Sequence, residues 1–194
     1  MKNLIIATTS RGKFVELKRL LDDHFEEIYS LLDFPEKIDV AEDSTSYAGN
    51  AMKKARKVGE HFRMPALADD SGLEVAALDG RPGIHSSRYG KNDDERTERL
   101  LDELDGIPWD GREAKFKAYV VLYLPEKDRC YVFYGELKGF IGFEKHGSGG
   151  FGYDPVFYSP ELGKYLAEIP TDQKNTVSHR GRAVALLKKF VETI

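Results

Sequence analysis

The run Ala66-Leu67-Ala68-Asp69-Asp70-Ser71-Gly72-Leu73 constrains this chain most, because an apolar segment suited to a buried strand ends in two adjacent carboxylates. Side chains alternate faces along a strand, so Asp69 and Asp70 point in different directions unless the chain is already turning at Ser71-Gly72. One of them can then face a cleft. A carboxylate there, beside amides freed by a turn, suits a hard cation such as Mg²⁺ held through oxygen. Asp, Ser and Gly also favour solvated turns for local reasons, and on this stretch alone that plainer reading is the stronger.

A chain of 194 residues supplies core enough for one domain of generous size or two small lobes sharing a sheet. The single cysteine, Cys130, rules out an internal disulfide and suits a reducing compartment; in the strand-like run 129–134 it reads as a small buried residue. No apolar stretch is long enough to span a bilayer and no charged-then-apolar leader is present, so a cytoplasmic protein without a membrane partner is expected. The formal net charge of −4 argues against wrapping a nucleic-acid duplex. A phosphorylated small molecule needs only a few local cations and a metal.

Lys2 to Thr8 reads as a buried strand, and Phe14, Leu17, Leu20 and Leu21 follow at helical spacing. The intervening Thr8-Thr9-Ser10-Arg11-Gly12-Lys13 either offers amides, a helix dipole and two cations to an anion or is an ordinary helix capped by Ser10. It lacks the P-loop spacing. A strand over Glu27 to Leu32 and a helix from Ser46 to His61 are expected next. Asn50 and Lys54 lie one turn apart on that helix, and Glu42 just before it is a solvated loop acid or a second metal ligand. Leu73 to Leu78 reads as a further strand, and Asp93, Asp94 and Glu95 as a helix first turn whose charge needs no site to explain it. Trp109 reads as a packing residue. Phe116 to Leu124 and Cys130 to Tyr134 form the clearest hairpin, extendable to Gly142.

The segment Gly147-Ser148-Gly149-Gly150-Phe151-Gly152-Tyr153-Asp154-Pro155 demands unusual backbone angles or a close approach to the main chain. Phe151 is placed there to stack on a flat ligand. Ser178 is a candidate cap of the terminal helix, with His179 and Arg180 at its positive end, where cations are disfavoured unless something there wants donors. With Lys174 and Arg182 nearby, His179 suggests a ligand site rather than a surface histidine.

Acids for a metal, amides and cations for phosphates, an aromatic to stack and donors to read a ring edge describe a site for a nucleotide with several phosphates. No Ser-His-Asp order, paired-cysteine motif or dinucleotide fingerprint competes. In its motifs the chain resembles the Ham1-like inosine triphosphate pyrophosphatases. The carriers are Ala7 to Lys13 with Glu16, Asn50-Ala51 with Lys54-Ala55, Ala68 to Gly72, Pro82-Gly83-Ile84 with Ser86 and Arg88-Tyr89, Gly149 to Pro155, and Glu168 with Lys174 and Ser178 to Gly181.

That resemblance implies an α/β fold, an elongated two-lobed structure around a long curved mixed sheet with the active site in the cleft between the lobes. It also implies one ITPase-like domain over 1–194 and a homodimer. It further implies that Glu42 and Asp70 hold Mg²⁺ and that Asp70, with Asp69 beside it, activates water. Thr8, Thr9, Ser10, Arg11, Gly12, Lys13 and Ser71 would bind the triphosphate. Phe151, Gly152, Tyr153, Asp154, Lys174, His179 and Arg180 would hold the base, with Asn50, Lys54, Arg88 and Ser178 supporting them. The reaction implied is hydrolysis of non-standard purine nucleoside triphosphates, inosine or xanthine, to monophosphate and pyrophosphate. Two positions depart from the family pattern: Ser10 stands where asparagine is usual, and Gly49 where glutamate often precedes the helical Asn-Ala. A nucleotide carrier without hydrolysis and a Mg²⁺-dependent phosphatase of a small metabolite are the rival classes. The paired acids speak against the first and the glycine-aromatic loop against the second.

Overall fold

The computed structural model describes residues 3–36 and 38–194. Among these residues seven strands, β1 (Asn3–Ile6), β2 (Glu27–Ser30), β3 (Ala66–Val75), β4 (Glu113–Leu124), β5 (Arg129–Ile141), β6 (Phe157–Ser159) and β7 (Lys164–Tyr165), form one mixed sheet. Their order is β2-β1-β3-β4-β5-β6-β7. The helices are α1 (Arg11–Leu21), α2 (Tyr47–Phe62), α3 (Asp93–Glu103), α4 (Thr171–Val177) and α5 (His179–Val191). The chain divides into two compact units, one of Met1–Asp70, Ala118–Gly135 and Arg180–Ile194, the other of Ser71–Lys117 and Glu136–His179.

In the first unit β1 pairs in parallel with β2 and with β3, Ile5 opposite Ala66 and Ile6 opposite Leu67. Strand order therefore reverses at β1, which sends the α1 and α2 crossovers to opposite faces of the sheet. On one face Leu17 and Leu21 of α1 and Ala183, Val184 and Leu187 of α5 pack with Leu4, Ile6 and Leu67. On the other, Ala51, Ala55 and Val58 of α2 pack with Ile5, Ala66, Ala68 and Val121. Strands buried on both faces read as continuous apolar runs, which is why β1 and the start of β3 show no alternation in sequence.

The structure corrects several expected boundaries. The stretch around the paired acids does not turn: β3 runs extended for 10 residues through Ser71-Gly72, joining what read as two strands. Its ladder position between β1 and β4 overrides the local turn preference of Asp, Ser and Gly. Strand β2 stops at Ser30, whose Oγ accepts from Leu32 N–H at 2.8 Å while its own N–H donates to the Asp33 carboxylate at 2.7 Å. This reciprocal cap starts a 3-10 turn at Leu31–Asp33 in place of the expected strand end. Helix α4 and the short strands β6 and β7 were not expected at all.

The second unit has its own core of Leu73, Val75, Leu100, Leu104, Phe116, Leu137, Phe157 and Ile169. Trp109 packs as expected, stacked on Phe140 at 5.2 Å between ring centroids. Arg112 is 2% exposed and lies among main-chain carbonyls: its guanidinium donates to the oxygens of Ile141 (2.8 Å), Leu104 (2.7 Å) and Gly142 (2.7 Å). Buried carbonyls without a donor each cost on the order of 1–3 kcal/mol. Arg112→Met, similar in length but without donors, is expected to destabilise the fold by about 3 kcal/mol in denaturant unfolding, with a clear fall in Tm.

Candidate functional site

Pleat geometry decides how the acidic end of β3 is used. Leu67 packs on the α1 and α5 face and Ala66 and Ala68 on the α2 face, so Asp69 follows Leu67 and Asp70 follows Ala68. Because β1 ends at Ile6, opposite Leu67, both acids lie past its carboxyl end, the place where open parallel sheets take ligands.

On the α1 face Asp69 is 3% exposed and meets two cations. Lys13 Nζ lies 2.8 Å from its Oδ2, and Arg180 Nε lies 3.3 Å from the same oxygen. Arg180, itself 2% exposed, also donates through Nη1 to Glu16 Oε2 at 2.7 Å. Burial alone would raise the Asp69 carboxyl, but Arg180 and Lys13 outweigh it and hold the group well below the usual carboxylate range. Burial would likewise discharge Arg180, and Asp69 and Glu16 keep it charged. The sequence signal for Glu16 was available: it follows Lys13 by three positions on α1, facing inward between Val15 and Leu17, where a lone acid must have a partner.

On the α2 face Asp70 accepts from Asn50 Nδ2 at 3.1 Å. Lys54 Nζ donates to Glu42 Oε1 at 3.1 Å and to the main-chain oxygen of Asp69 at 2.9 Å, and lies 3.7 Å from Asp70 Oδ1. Burial pushes the Asp70 carboxyl up, against Lys54, Lys13 and the Asn50 hydrogen bond. Adjacent acids are thus shifted in opposite directions, as expected when one is a charge anchor and the other stays available. Asn50 does a second job, its Oδ1 accepting from Ser44 N–H at 2.9 Å, which ties the segment carrying Glu42 to the helix. A side chain at Gly49 would collide with Ser44 Oγ, so the space for the acid expected at that position is already filled.

The segment after β1 is an exposed turn, as the sequence suggested. Thr8 Oγ1 accepts from Ser10 N–H at 3.1 Å, and Ser10 caps α1 by accepting from Lys13 N–H at 3.4 Å. Thr9, Arg11 and Gly12 stand exposed beside it. Among the residues expected to serve the phosphates, only Ser71 belongs to the second unit.

In the second unit the glycine-rich loop is built around Asp154, which is 3% exposed. Its Oδ2 accepts from Phe151 N–H at 2.9 Å and from Lys174 Nζ at 2.5 Å. Gly150 has φ +73, and any side chain there would strike the same carboxylate. Lys174 Nζ also lies 4.9 Å from the centre of the half-buried Phe151 ring. Gly152 N–H donates to Asp93 Oδ2 at 2.7 Å, so the acidic first turn of α3 does have a task beyond charge. Tyr153 is committed to the scaffold, its hydroxyl donating to the Ser86 oxygen at 2.8 Å. His179 stacks on Phe116, with centroids 4.7 Å apart and planes 11° apart. Ser178 is buried between α4 and α5, and Arg88 is exposed at the end of the 3-10 turn Gly83–Arg88.

The Ham1 family profile matches residues 4–190. The chain belongs to the Ham1 family. A dITP/XTP pyrophosphatase of Geobacter sulfurreducens is 47% identical over 97% of this chain and 96% of its own. One from Geobacillus kaustophilus is 44% identical over 100% and 96%. Among solved structures, a HAM1 protein from Coxiella burnetii superimposes with a TM-score of 0.88 at 36% identity, covering 100% of both chains. The Staphylococcus aureus Ham1 protein gives 0.87 at 35%, covering 99% of both. The α/β fold and the family expected from the motifs are therefore both borne out.

The Asp69 anchor yields a test. Asp69→Asn leaves Lys13 and Arg180 facing each other without the intervening charge and is expected to destabilise by about 3–5 kcal/mol at neutral pH. Because the folded carboxyl lies below its ordinary value of 3.8, its contribution is fully present above that pH. It is lost as pH falls through the folded value. The gap in unfolding free energy between wild type and variant should hold steady from about pH 5 to 8 and narrow below about pH 4.

Proposed function

We propose that this Ham1 family member hydrolyses dITP, ITP and XTP to the nucleoside monophosphate and pyrophosphate. The observation that carries the proposal is the convergence of Glu42 and Asp70, acids from a loop and from β3, on one ammonium beside the cationic Lys13 turn. A protein that only carried nucleotides would gain nothing from acids beside polyphosphate. The relatives' names supply the substrate class.

Glu42 and Asp70 offer only carboxylate oxygens, the donor type that Mg²⁺ prefers. No group of three or more His, Cys, Asp or Glu side chains suited to a metal occurs among the described residues, so phosphate oxygens and water would complete the shell. The ion, when bound, neutralises phosphate charge and favours departure of pyrophosphate. Asp70, its carboxyl already raised by burial, accepts the proton from the attacking water. Lys13, oriented by Asp69, meets phosphate oxygens together with the amides and hydroxyls of Thr8 to Gly12 and with Ser71.

Phe151 stacks on the purine while Gly152, Tyr153 and Asp154 shape the loop that presents it. Lys174 and His179 donate toward a 6-oxo group, and any donor from Arg180 comes from a guanidinium already fixed by Glu16 and Asp69. Asn50, Lys54, Arg88 and Ser178 support these positions. The 6-amino group of adenine would meet donors with a donor, a mismatch that can reach about 10⁴-fold in discrimination. The whole of 1–194 then serves as one catalytic domain, cytoplasmic and homodimeric. No helix among the described residues is long and apolar enough to cross a membrane.

With ITP and Mg²⁺, the expected product is pyrophosphate, with ATP turned over about 10³-fold or more slowly. Release of inorganic phosphate alone, or equal rates on ATP, overturns the assignment. Asp70→Asn is expected to lower kcat at least about 100-fold, and Phe151→Ala to raise KM for ITP about tenfold with a smaller effect on kcat.

A further inference from the structure

The ammonium of Lys54 rests on three oxygens from one strand and one loop: Glu42 Oε1 at 3.1 Å, the Asp69 main-chain oxygen at 2.9 Å and Asp70 Oδ1 at 3.7 Å. Its side chain is 12% exposed and that of Asp70 9%. These oxygens, two of them carboxylate, are of the kind a divalent ion seeks. We propose that Lys54 is a built-in exchange cation: it occupies the divalent-metal position of the free protein and yields it only when a polyphosphate arrives. The inference rests on the assignment of Glu42 and Asp70 as metal ligands made above.

Charge bookkeeping on the two faces favours this arrangement. Asp69 is met by Lys13 and Arg180 on the α1 face, while Lys54 lies against both of the acids assigned to the metal. A tethered ammonium competes at high effective concentration with any ion from solution. Mg²⁺ sheds water reluctantly and prefers to keep phosphate oxygens and water beside one or two carboxylates, so alone it displaces Lys54 poorly. A triphosphate changes both sides of the exchange. Its oxygens offer the compact ammonium a new partner and offer the metal its missing ligands. Metal and nucleotide then raise each other's affinity by the same factor, as linkage requires.

Asn50 makes the exchange possible without collapse. It holds Asp70 Oδ2 at 3.1 Å and the Ser44 N–H at 2.9 Å, so neither the strand nor the Glu42 segment depends on Lys54 alone for its place.

The test is a titration of the full-length protein with Mn²⁺ in the absence of nucleotide, with free ion followed by electron paramagnetic resonance. Lys54→Met and Lys54→Gln are each expected to bind Mn²⁺ about tenfold or more tightly than wild type, equivalent to about 1.4 kcal/mol, while Lys54→Arg stays close to wild type. Unchanged or weaker binding by both neutral variants, with thermal unfolding like that of wild type, overturns the proposal. Adding Asp70→Asn to Lys54→Met separates the two layers. Loss of the gained affinity supports both; retention of it removes Asp70 as a ligand, and with it the metal assignment itself. If the neutral variants gain nothing while wild type binds Mn²⁺ in an Asp70-dependent way, the metal assignment stands and the exchange cation falls.

Discussion

Two neighbouring carboxylates on one buried strand must each be compensated on the face to which they point, and much of the first unit follows from that. The pleat sends Asp69 and Asp70 to opposite faces of a sheet covered on both, and a buried charge without compensation is not tolerated. Each face therefore brings its own cations. Helices α1 and α5 supply Lys13 and Arg180 to one acid, and α2 supplies Lys54 and the Asn50 amide to the other. The strand order β2-β1-β3 is what places those helices on opposite sides, so topology and electrostatics express a single requirement.

The outcome is a division of labour between residues that look equivalent in sequence. Asp69 is saturated with positive partners and held ionised, which suits a group that orients Lys13. Asp70 is also buried, but its carboxyl is pushed upward by that burial, which suits a group that exchanges a proton or a ligand. The second unit solves a different problem by similar means. Asp154 sits inside its loop and accepts from Phe151 N–H and Lys174, so the backbone that carries the aromatic ring is held by a buried carboxylate. Under the proposed stacking role, a loop ordered in advance would lower the entropy cost of binding a flat ligand.

What could be read from the sequence was what local chemistry dictates. The strand at Asn3–Ile6, the Ser10 cap, helix α2 and the β4–β5 hairpin follow from periodicity and capping. The paired acids, Lys13 and the Phe151 loop were recognisable as chemistry without a known purpose until the family motifs were seen together. What could not be read was set by partners far along the chain. Ser71-Gly72 looks like a turn because its ladder with β4 is invisible in sequence. Asp93 looks like a helix-end charge because Gly152, which it accepts from, lies 59 positions away. Arg180 looks like a ligand donor, and only coordinates reveal that Glu16, 164 positions distant, already engages it.

Ser44 and Gly49 carry a lesson of another kind. The hydroxyl of one fills the space that a side chain on the other would need, and both adjoin the Asn50 amide that ties down the Glu42 segment. Variation at the two positions is consequently epistatic. A side chain introduced at 49 meets both the Oγ and the Cβ of Ser44, so what position 49 can carry depends on what stands at 44, and glycine there relieves more of the clash than alanine.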